Sequence, residues 1–245
     1  MRGTEALTPW MVRVTLGGPE MEGFVVDEPA ASVRLLLPLL GSTELVMPAW
    51  KGNEFLLPDG SRPIIRTFTP RRVDVVALQL EVDVVVHEGG VASQWAVAAS
   101  AGDPAAVSGP GRGYAVDADT PSFLVAGDET AIPAVGQVLD ALPAQAPVRV
   151  LVELAHPDAR TDLPAHPHAA VEWLDRPQAS APGAALVAAI READVESGCG
   201  VWAAGEAAAM QAIRRHLLDD RSLARSQMTV RGYWKHGRAG ATVDG

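Results

Sequence analysis

The strongest constraint on the fold is a change near residue 117 in how apolar residues are spaced along the chain. Upstream of that point, short apolar runs alternate with a period of two and stop at Gly or Pro. The run at 78–86 is the clearest, with aliphatic side chains on one face and polar or acidic side chains on the other. Short alternating strands with little helix are typical of an antiparallel barrel. We therefore predict an antiparallel β-barrel domain for residues 1–116.

Downstream, apolar strands alternate with helical stretches. The predicted strands are 122–126, 148–154, 169–174, 200–204 and 227–232. The predicted helices are 131–141, 182–192 and one that begins near Ala207. This alternation predicts an α/β domain with a parallel sheet for residues 117–245. Ligands of such sheets bind beyond the carboxyl ends of the strands.

Charge and cysteine content exclude several classes of function. The chain has 20 basic and 30 acidic residues, a net charge of −10, which argues against a general nucleic-acid binder. Its one cysteine, Cys199, excludes disulfide frameworks and thiolate metal sites, and no histidine pattern completes a metal centre. We expect no membrane span, because no window is long and apolar enough, and a cytoplasmic location.

The first motif is Arg66-Thr67-Phe68-Thr69. On a strand, Arg66 and Phe68 point to one side while Thr67 and Thr69 point to the other. The guanidinium suits a phosphate, the aromatic ring suits a flat heterocycle, and a hydroxyl can donate to a ring nitrogen. The alternative is a half-buried strand with an incidental arginine.

The second motif is the segment 87–96, which begins where the best strand ends. Its Gly89-Gly90 pair permits a tight turn, and a helix is predicted to start near Val91 or Ala92. Amide groups at such a helix start form an anion site that suits a pyrophosphate. The alternative is an ordinary strand-to-helix turn. Together, the two motifs fit one dinucleotide cofactor better than either does alone.

Three further segments follow strands of the second domain. In the first, 127–133, Thr130 is predicted to cap the helix and Pro133 to lie in its first turn. The second is the turn at 204–207. The third, at 231–238, combines aromatic and basic residues, and it indicates a stacking platform for a planar anionic ligand or a frayed tail.

Taken in order along the chain, these segments resemble the siderophore-interacting proteins, a family of FAD-binding ferric-siderophore reductases within the ferredoxin-reductase-like superfamily. The matching segments are 66–72, 87–96, 127–133, 203–210 and 232–234. The resemblance implies that residues 1–116 form an FAD-binding barrel and that residues 117–245 form an NAD(P)H-binding-like domain. Two positions depart from the family pattern, since Phe68 replaces a usual Tyr and Val91 replaces a usual Pro.

The resemblance also implies roles for individual residues. Arg66 would hold the FAD phosphates or ribityl chain, and Phe68 would pack on the isoalloxazine ring. Thr69 would approach the N5 edge of that ring, and Thr67 belongs to the same set of cofactor-binding residues. The pyrophosphate would bind the amides of Gly90, Val91, Ala92 and Ser93, with His87 beside the cofactor. Thr130 and the turn at 205–206 would border the nicotinamide, and Tyr233 and Trp234 would close the FAD pocket.

The implied activity is the transfer of electrons from NADPH, NADH or ferredoxin through FAD to a ferric siderophore, which releases Fe(II). No side chain is needed as a catalyst, since FAD carries the electrons. Candidate cations for the anionic chelate are Lys51, Arg112, Lys235 and Arg238. Two alternatives stay open: a flavin electron-transfer module that serves a protein partner, and a non-enzymatic protein that binds siderophore or flavin.

Overall fold

The computed structural model describes residues 1–39 and 41–237, which form two compact units. The first, hereafter the barrel unit, comprises residues 1–7, 11–27 and 31–112. The second, hereafter the sheet unit, comprises residues 8–10, 28–30 and the chain from residue 113. The main division therefore falls between Arg112 and Gly113, a few residues before position 117.

The barrel unit is built from short strands and one helix. Its elements are β1 Gly3–Thr8, β2 Met11–Gly17, β3 Val33–Leu37, β4 Ala49–Lys51, β5 Glu54–Leu56, β6 Ile64–Phe68, β7 Pro70–Asp74, β8 Gln79–Val85, α1 Val91–Ala98 and β9 Ala106–Ser108. One sheet has the order β1-β2-β8-β7, a second has the order β6-β3-β9, and β4 and β5 form a separate ribbon. The pairs β2–β8, β7–β8, β3–β6, β3–β9 and β4–β5 are antiparallel.

The two larger sheets of this unit enclose one apolar core. On β8, Leu80, Val82 and Val84 are fully buried, as the alternating pattern predicts. They pack in the same cluster as the inward-facing residues of β3, and α1 adds Trp95. Each such side chain contributes about 1.5–3 kcal/mol through burial. The predicted antiparallel, barrel-like architecture is confirmed.

The sheet unit follows the predicted alternation. Its elements are β10 Phe123–Asp128, α2 Ile132–Ala141, β11 Val148–Leu154, β12 Ala169–Asp175, α3 Ala184–Glu192, β13 Gly200–Glu206, α4 Ala207–Arg215 and β14 Met228–Trp234. All five strands are parallel, in the order β12-β11-β10-β13-β14. The order reverses at β10, so the carboxyl ends of β10 and β13 flank the switch point where such sheets bind ligands. The predicted parallel α/β domain is confirmed.

Helix α4 shows how its sequence places it on the sheet. Ala207, Met210 and Ile213 form its buried stripe, and Leu217 continues the stripe in a π-helical turn at His216–Asp220. The stripe predicted from the sequence is therefore buried as expected, although the α-helical geometry ends at Arg215. Among the residues that the structure describes, no helix has the length and apolar character needed to cross a bilayer.

Candidate functional site

Arg66 is a half-buried cation on β6. It lies opposite Leu35 of β3, and both side chains therefore point to the core side of that sheet. Its Nη1 donates to the Ile65 carbonyl at 2.8 Å. No carboxylate in the described part of the chain forms an ion pair with it, and burial lowers the pKa of the guanidinium. A desolvated charge without a counter-charge is costly, so this position suits an anionic ligand.

The rest of the first motif departs from strict alternation at its last residue. Phe68 packs against the barrel-unit core and keeps part of its ring exposed, while Thr67 is exposed. Strand β6 ends at Phe68, and Thr69 is buried where the chain enters β7. The two threonines therefore differ in burial, and the strand ends one residue earlier than the pattern indicates.

The turn between β8 and α1 requires both of its glycines, for different reasons. Gly89 has a φ of +75°, in the left-handed region. At Gly90, a Cβ atom would lie 2.6 Å from the His87 ring and 2.6 Å from Ser93 Oγ, so a side chain there would have to displace both groups. Helix α1 begins at Val91, as predicted.

Ser93 fastens this turn to the strand before it. Its hydroxyl donates to the Val85 carbonyl at 2.9 Å and accepts from the His87 amide at 3.2 Å. The hydroxyl is buried and occupied, so Ser93 has only its amide to offer to a ligand. The amides of Val91, Ala92 and Ser93 are the first three of α1 and have no acceptor within the helix. Their direction and the small side chains around them suit a phosphate group.

In the sheet unit, Asp128 joins two of the predicted site residues. Its carboxylate accepts from the Thr130 amide at 3.0 Å, from the Thr130 hydroxyl, from the Glu206 amide at 2.9 Å and from Trp234 Nε1 at 2.7 Å. Gly205 has a φ of +155°, and a Cβ there would lie 2.6 Å from Asp128 Oδ2. Burial raises the pKa of Asp128, and its hydrogen bonds oppose that effect.

The predicted capping role of Thr130 is wrong. Asp128 caps the 3-10 turn Glu129–Ala131 that leads into α2, and Thr130 is one of its donors. Asp is a better N-cap than Thr, and it precedes Thr130 by the two residues that capping geometry needs. Pro133 lies in the first turn of α2, as predicted.

Two further buried carboxylates lie at or next to the ends of strands of the same sheet. Glu206 Oε2 caps α4 by accepting from the Ala208 amide at 2.6 Å and the Ala209 amide at 3.0 Å. Glu153, at the end of β11, accepts from the Gly183 and Leu186 amides at 2.7 Å and 2.9 Å. The exposed fractions of Asp128, Glu153 and Glu206 are 3%, 1% and 4%. Sequence reasoning missed Glu153, although a lone acid near the end of an apolar strand is a usable signal.

Glu129 adds a fourth acid at this edge. Burial, with the charge of Asp128 beside it, raises the pKa of Glu129 to about 7. Its carboxyl group therefore changes charge near neutral pH. The carboxyl edge of the sheet is consequently acidic, and any anionic ligand that approaches it needs a compensating cation.

The candidate cations fall in both units. Lys51 lies on β4 opposite Glu54, and Glu54 pairs with Arg62 at 2.7 Å. Arg112 is exposed at the end of the barrel unit. In the sheet unit, Lys235 is exposed just after β14, and Arg238 lies outside the described residues. Tyr233 and Trp234, both half-buried, end β14.

Comparison with known proteins identifies the family. Residues 1–114 match the model of the siderophore-interacting FAD-binding domain, and residues 120–237 match the model of the siderophore-interacting protein. An uncharacterized protein of Mycobacterium tuberculosis is 36% identical over 96% of this chain and 88% of its own length. The chain belongs to the siderophore-interacting protein family. The resemblance inferred from the motifs is confirmed.

Two other members add detail. The ferric vibriobactin reductase ViuB of Vibrio cholerae is 29% identical, over 93% of this chain and 85% of its own length. The crystal structure of a siderophore utilization protein from T. fusca is 32% identical, with a TM-score of 0.81, and the match covers 98% of this chain and 93% of that one. This siderophore-interacting protein thus has a family FAD-binding domain and a likeness to a ferric reductase.

Proposed function

We propose that this siderophore-interacting protein is an FAD-dependent ferric-siderophore reductase. The observation that carries the proposal is Arg66, a half-buried guanidinium without a counter-charge among the described residues. The same unit contains a helix start whose first amides have no acceptor within the helix, preceded by Gly90, where a Cβ atom would meet the His87 ring and Ser93 Oγ. A cation and an amide cradle are the two features that a dinucleotide diphosphate needs.

The residues proposed to hold FAD are those that the family resemblance implies. In the barrel unit they are Arg66, Thr67, Phe68, Thr69, His87, Gly90, Val91, Ala92 and Ser93. In the sheet unit they are Thr130, Tyr233 and Trp234. When bound, FAD supplies the conversion between a two-electron donor and the one-electron acceptor Fe(III). Phe68 offers a ring face without the hydroxyl of a tyrosine, so it stacks without donating a hydrogen bond.

The chain's own contribution to the reaction is binding and charge. Ferric chelates hold iron through hard oxygen donors, and reduction weakens that binding, so no protein acid, base or metal ligand is required. Positive charge attracts the anionic chelate, and the proposed sources are Lys51, Arg112, Lys235 and Arg238. The proposed donors are NADPH or NADH, with ferredoxin as the alternative, and the proposed location is the reducing cytoplasm.

The direct test is anaerobic reduction of the purified holoprotein. NADPH, NADH or reduced ferredoxin is added with ferric tris(2,3-dihydroxybenzoate), and flavin bleaching and Fe(II) formation are followed together. We expect at least one donor to bleach the flavin and the chelate to restore its colour as Fe(II) appears. A flavin that no donor bleaches would instead support a binding protein. A bleached flavin that ferric chelates do not reoxidise would support an electron-transfer module for a protein partner.

A further inference from the structure

We propose that Asp128 and Glu206 are positioning residues that fix the segment 234–236 and thereby place Lys235 for the ferric chelate. The inference rests on the proposed function and deepens it, because it assigns the geometry of one substrate-binding cation to two buried carboxylates. The juxtaposition that carries it is a lysine whose two chain neighbours are each hydrogen-bonded to a buried carboxylate.

The two hydrogen bonds lie on either side of Lys235. Trp234 Nε1 donates to Asp128 Oδ2 at 2.7 Å, and the His236 amide donates to Glu206 Oε1 at 3.2 Å. Lys235 itself is exposed. Although the chain leaves β14 after Trp234, its course is therefore set by contacts on both sides of the lysine.

The carboxylates that hold this segment are themselves fixed. Asp128 ends the central strand β10 and also accepts from Thr130 and from the Glu206 amide. Glu206 ends β13, and its second oxygen is held by the first amides of α4. Because β10 and β13 pair in parallel, the two anchors stand side by side at one edge of the sheet. The segment is thus tied to the carboxyl ends of two paired central strands.

Only carboxylates satisfy all of these donors. Asp128 and Glu206 receive N–H donors on both oxygens, and an amide side chain would turn its own N–H₂ group toward some of them. The same carboxylates make the sheet edge acidic, which disfavours an anionic chelate. A cation held at that edge offsets the repulsion, so the placement of Lys235 affects chelate binding rather than FAD binding.

The test uses variants that loosen the segment and preserve the helix caps. Glu206→Asp keeps the negative charge and a good N-cap, but it is too short to serve both α4 and His236. Asp128→Asn caps its turn through one oxygen and presents N–H₂ to Trp234 or Glu206. The matched control is Glu153→Asp, which shortens a buried capping carboxylate at the same edge with no bond to 234–236.

Two readouts separate the inference from the proposed function. Amide hydrogen exchange of 234–236 reports the anchoring without any substrate. Reoxidation of photoreduced holoprotein by ferric tris(2,3-dihydroxybenzoate) gives a half-saturating concentration and a limiting rate, independently of the electron donor. We expect Glu206→Asp and Asp128→Asn to speed exchange of 234–236 and to raise the half-saturating chelate concentration about 2- to 5-fold, the range of an exposed charge pair. Because Asp128 also binds Trp234, a proposed FAD residue, the variants are compared at full FAD occupancy, where the limiting rate is expected to be unchanged.

We expect Lys235→Ala to raise the half-saturating chelate concentration by the same factor as Glu206→Asp. Combined with Glu206→Asp, it should cause no further increase, because the effects of coupled residues are not additive. Glu153→Asp should change neither readout. Two results would overturn the positioning role and leave the proposed function intact. One is unchanged hydrogen exchange of 234–236 in Glu206→Asp. The other is an unchanged half-saturating chelate concentration in Glu206→Asp when Lys235→Ala raises it. A wild-type flavin that the chelate does not reoxidise would instead contradict the proposed function.

Discussion

Arg13 and Arg66 show how one residue type serves two purposes in the barrel unit. Arg13, on β2, forms two hydrogen bonds with Asp83 of β8, at 2.7 Å and 2.9 Å, and this carboxylate raises the pKa of its guanidinium. Arg66 has no such partner among the described residues, and burial lowers its pKa. Arg13 is therefore a structural cation, whereas Arg66 retains its charge for a ligand.

We expect Arg66→Ala to weaken FAD binding about 10- to 100-fold, because the variant loses one charge-assisted contact. We also expect the free energy of unfolding of the apoprotein to be unchanged or higher. The stability expectation follows because the variant removes a desolvated charge that nothing in the described chain offsets. FAD titration of the apoprotein and urea unfolding measure the two effects. Arg62→Ala, which removes an exposed arginine of the same unit, is the control. Equal FAD affinity in Arg66→Ala and wild type would exclude this role.

At the level of single residues, the sequence predicts the motif positions better than their hydrogen bonds. The helix start at Val91 and the buried stripe of α4 follow from turn chemistry and periodicity. The role of Asp128 does not, because its donors Glu206 and Trp234 are distant in sequence and meet only when the parallel strands pair. Glu153 was missed for the same reason, since the amides that it binds lie about thirty residues away.

At the scale of elements, the sheet unit uses strand-end carboxylates to begin its helices. Asp128, Glu153 and Glu206 end or nearly end β10, β11 and β13, and each accepts backbone amides at the start of a following helix or 3-10 turn. A negative charge at a helix N-terminus also favours the helix dipole. The strands and helices of this unit are therefore locked to each other by hydrogen bonds as well as by apolar packing.

Glu153→Gln tests this element-level link. We expect a loss of about 1–3 kcal/mol in the free energy of unfolding, because one buried amide of α3 would face the N–H₂ group of the glutamine. Glu172→Gln, on exposed β12, provides the control and should change stability by less than about 0.5 kcal/mol. Urea unfolding followed by tryptophan fluorescence measures both. Equal stabilities for the two variants would show that the Glu153 bonds contribute little.

Short elements are the ones that sequence reasoning missed. Strands β1, β4, β5, β7 and β9 have three to six residues and no sustained apolar alternation. The β4–β5 ribbon even leaves Trp50 60% exposed and stacks it edge-on against Phe55 instead of burying it. Such strands are stabilised by pairing with neighbours, which a local pattern does not reveal.

At the scale of the whole molecule, the change in apolar spacing near residue 117 is sufficient to predict a region of antiparallel strands followed by a region with a parallel sheet. The order of strands in each sheet was not predictable, because it depends on which apolar faces meet after collapse. The net charge of −10 argues against nucleic acid as a general partner and directs attention toward local cationic positions. Arg66 in the barrel unit and Lys235 in the sheet unit are the positions that carry the functional proposal.

The central claim is that this chain holds FAD through its barrel unit. The most direct measurement is the visible spectrum of the purified protein, with chromatographic identification of the cofactor released on denaturation. We expect flavin absorption bands, FAD in equimolar amount to the chain, and loss of that FAD from Arg66→Ala but not from Arg62→Ala. A colourless protein that takes up no added FAD, or one that releases FMN instead, would contradict it.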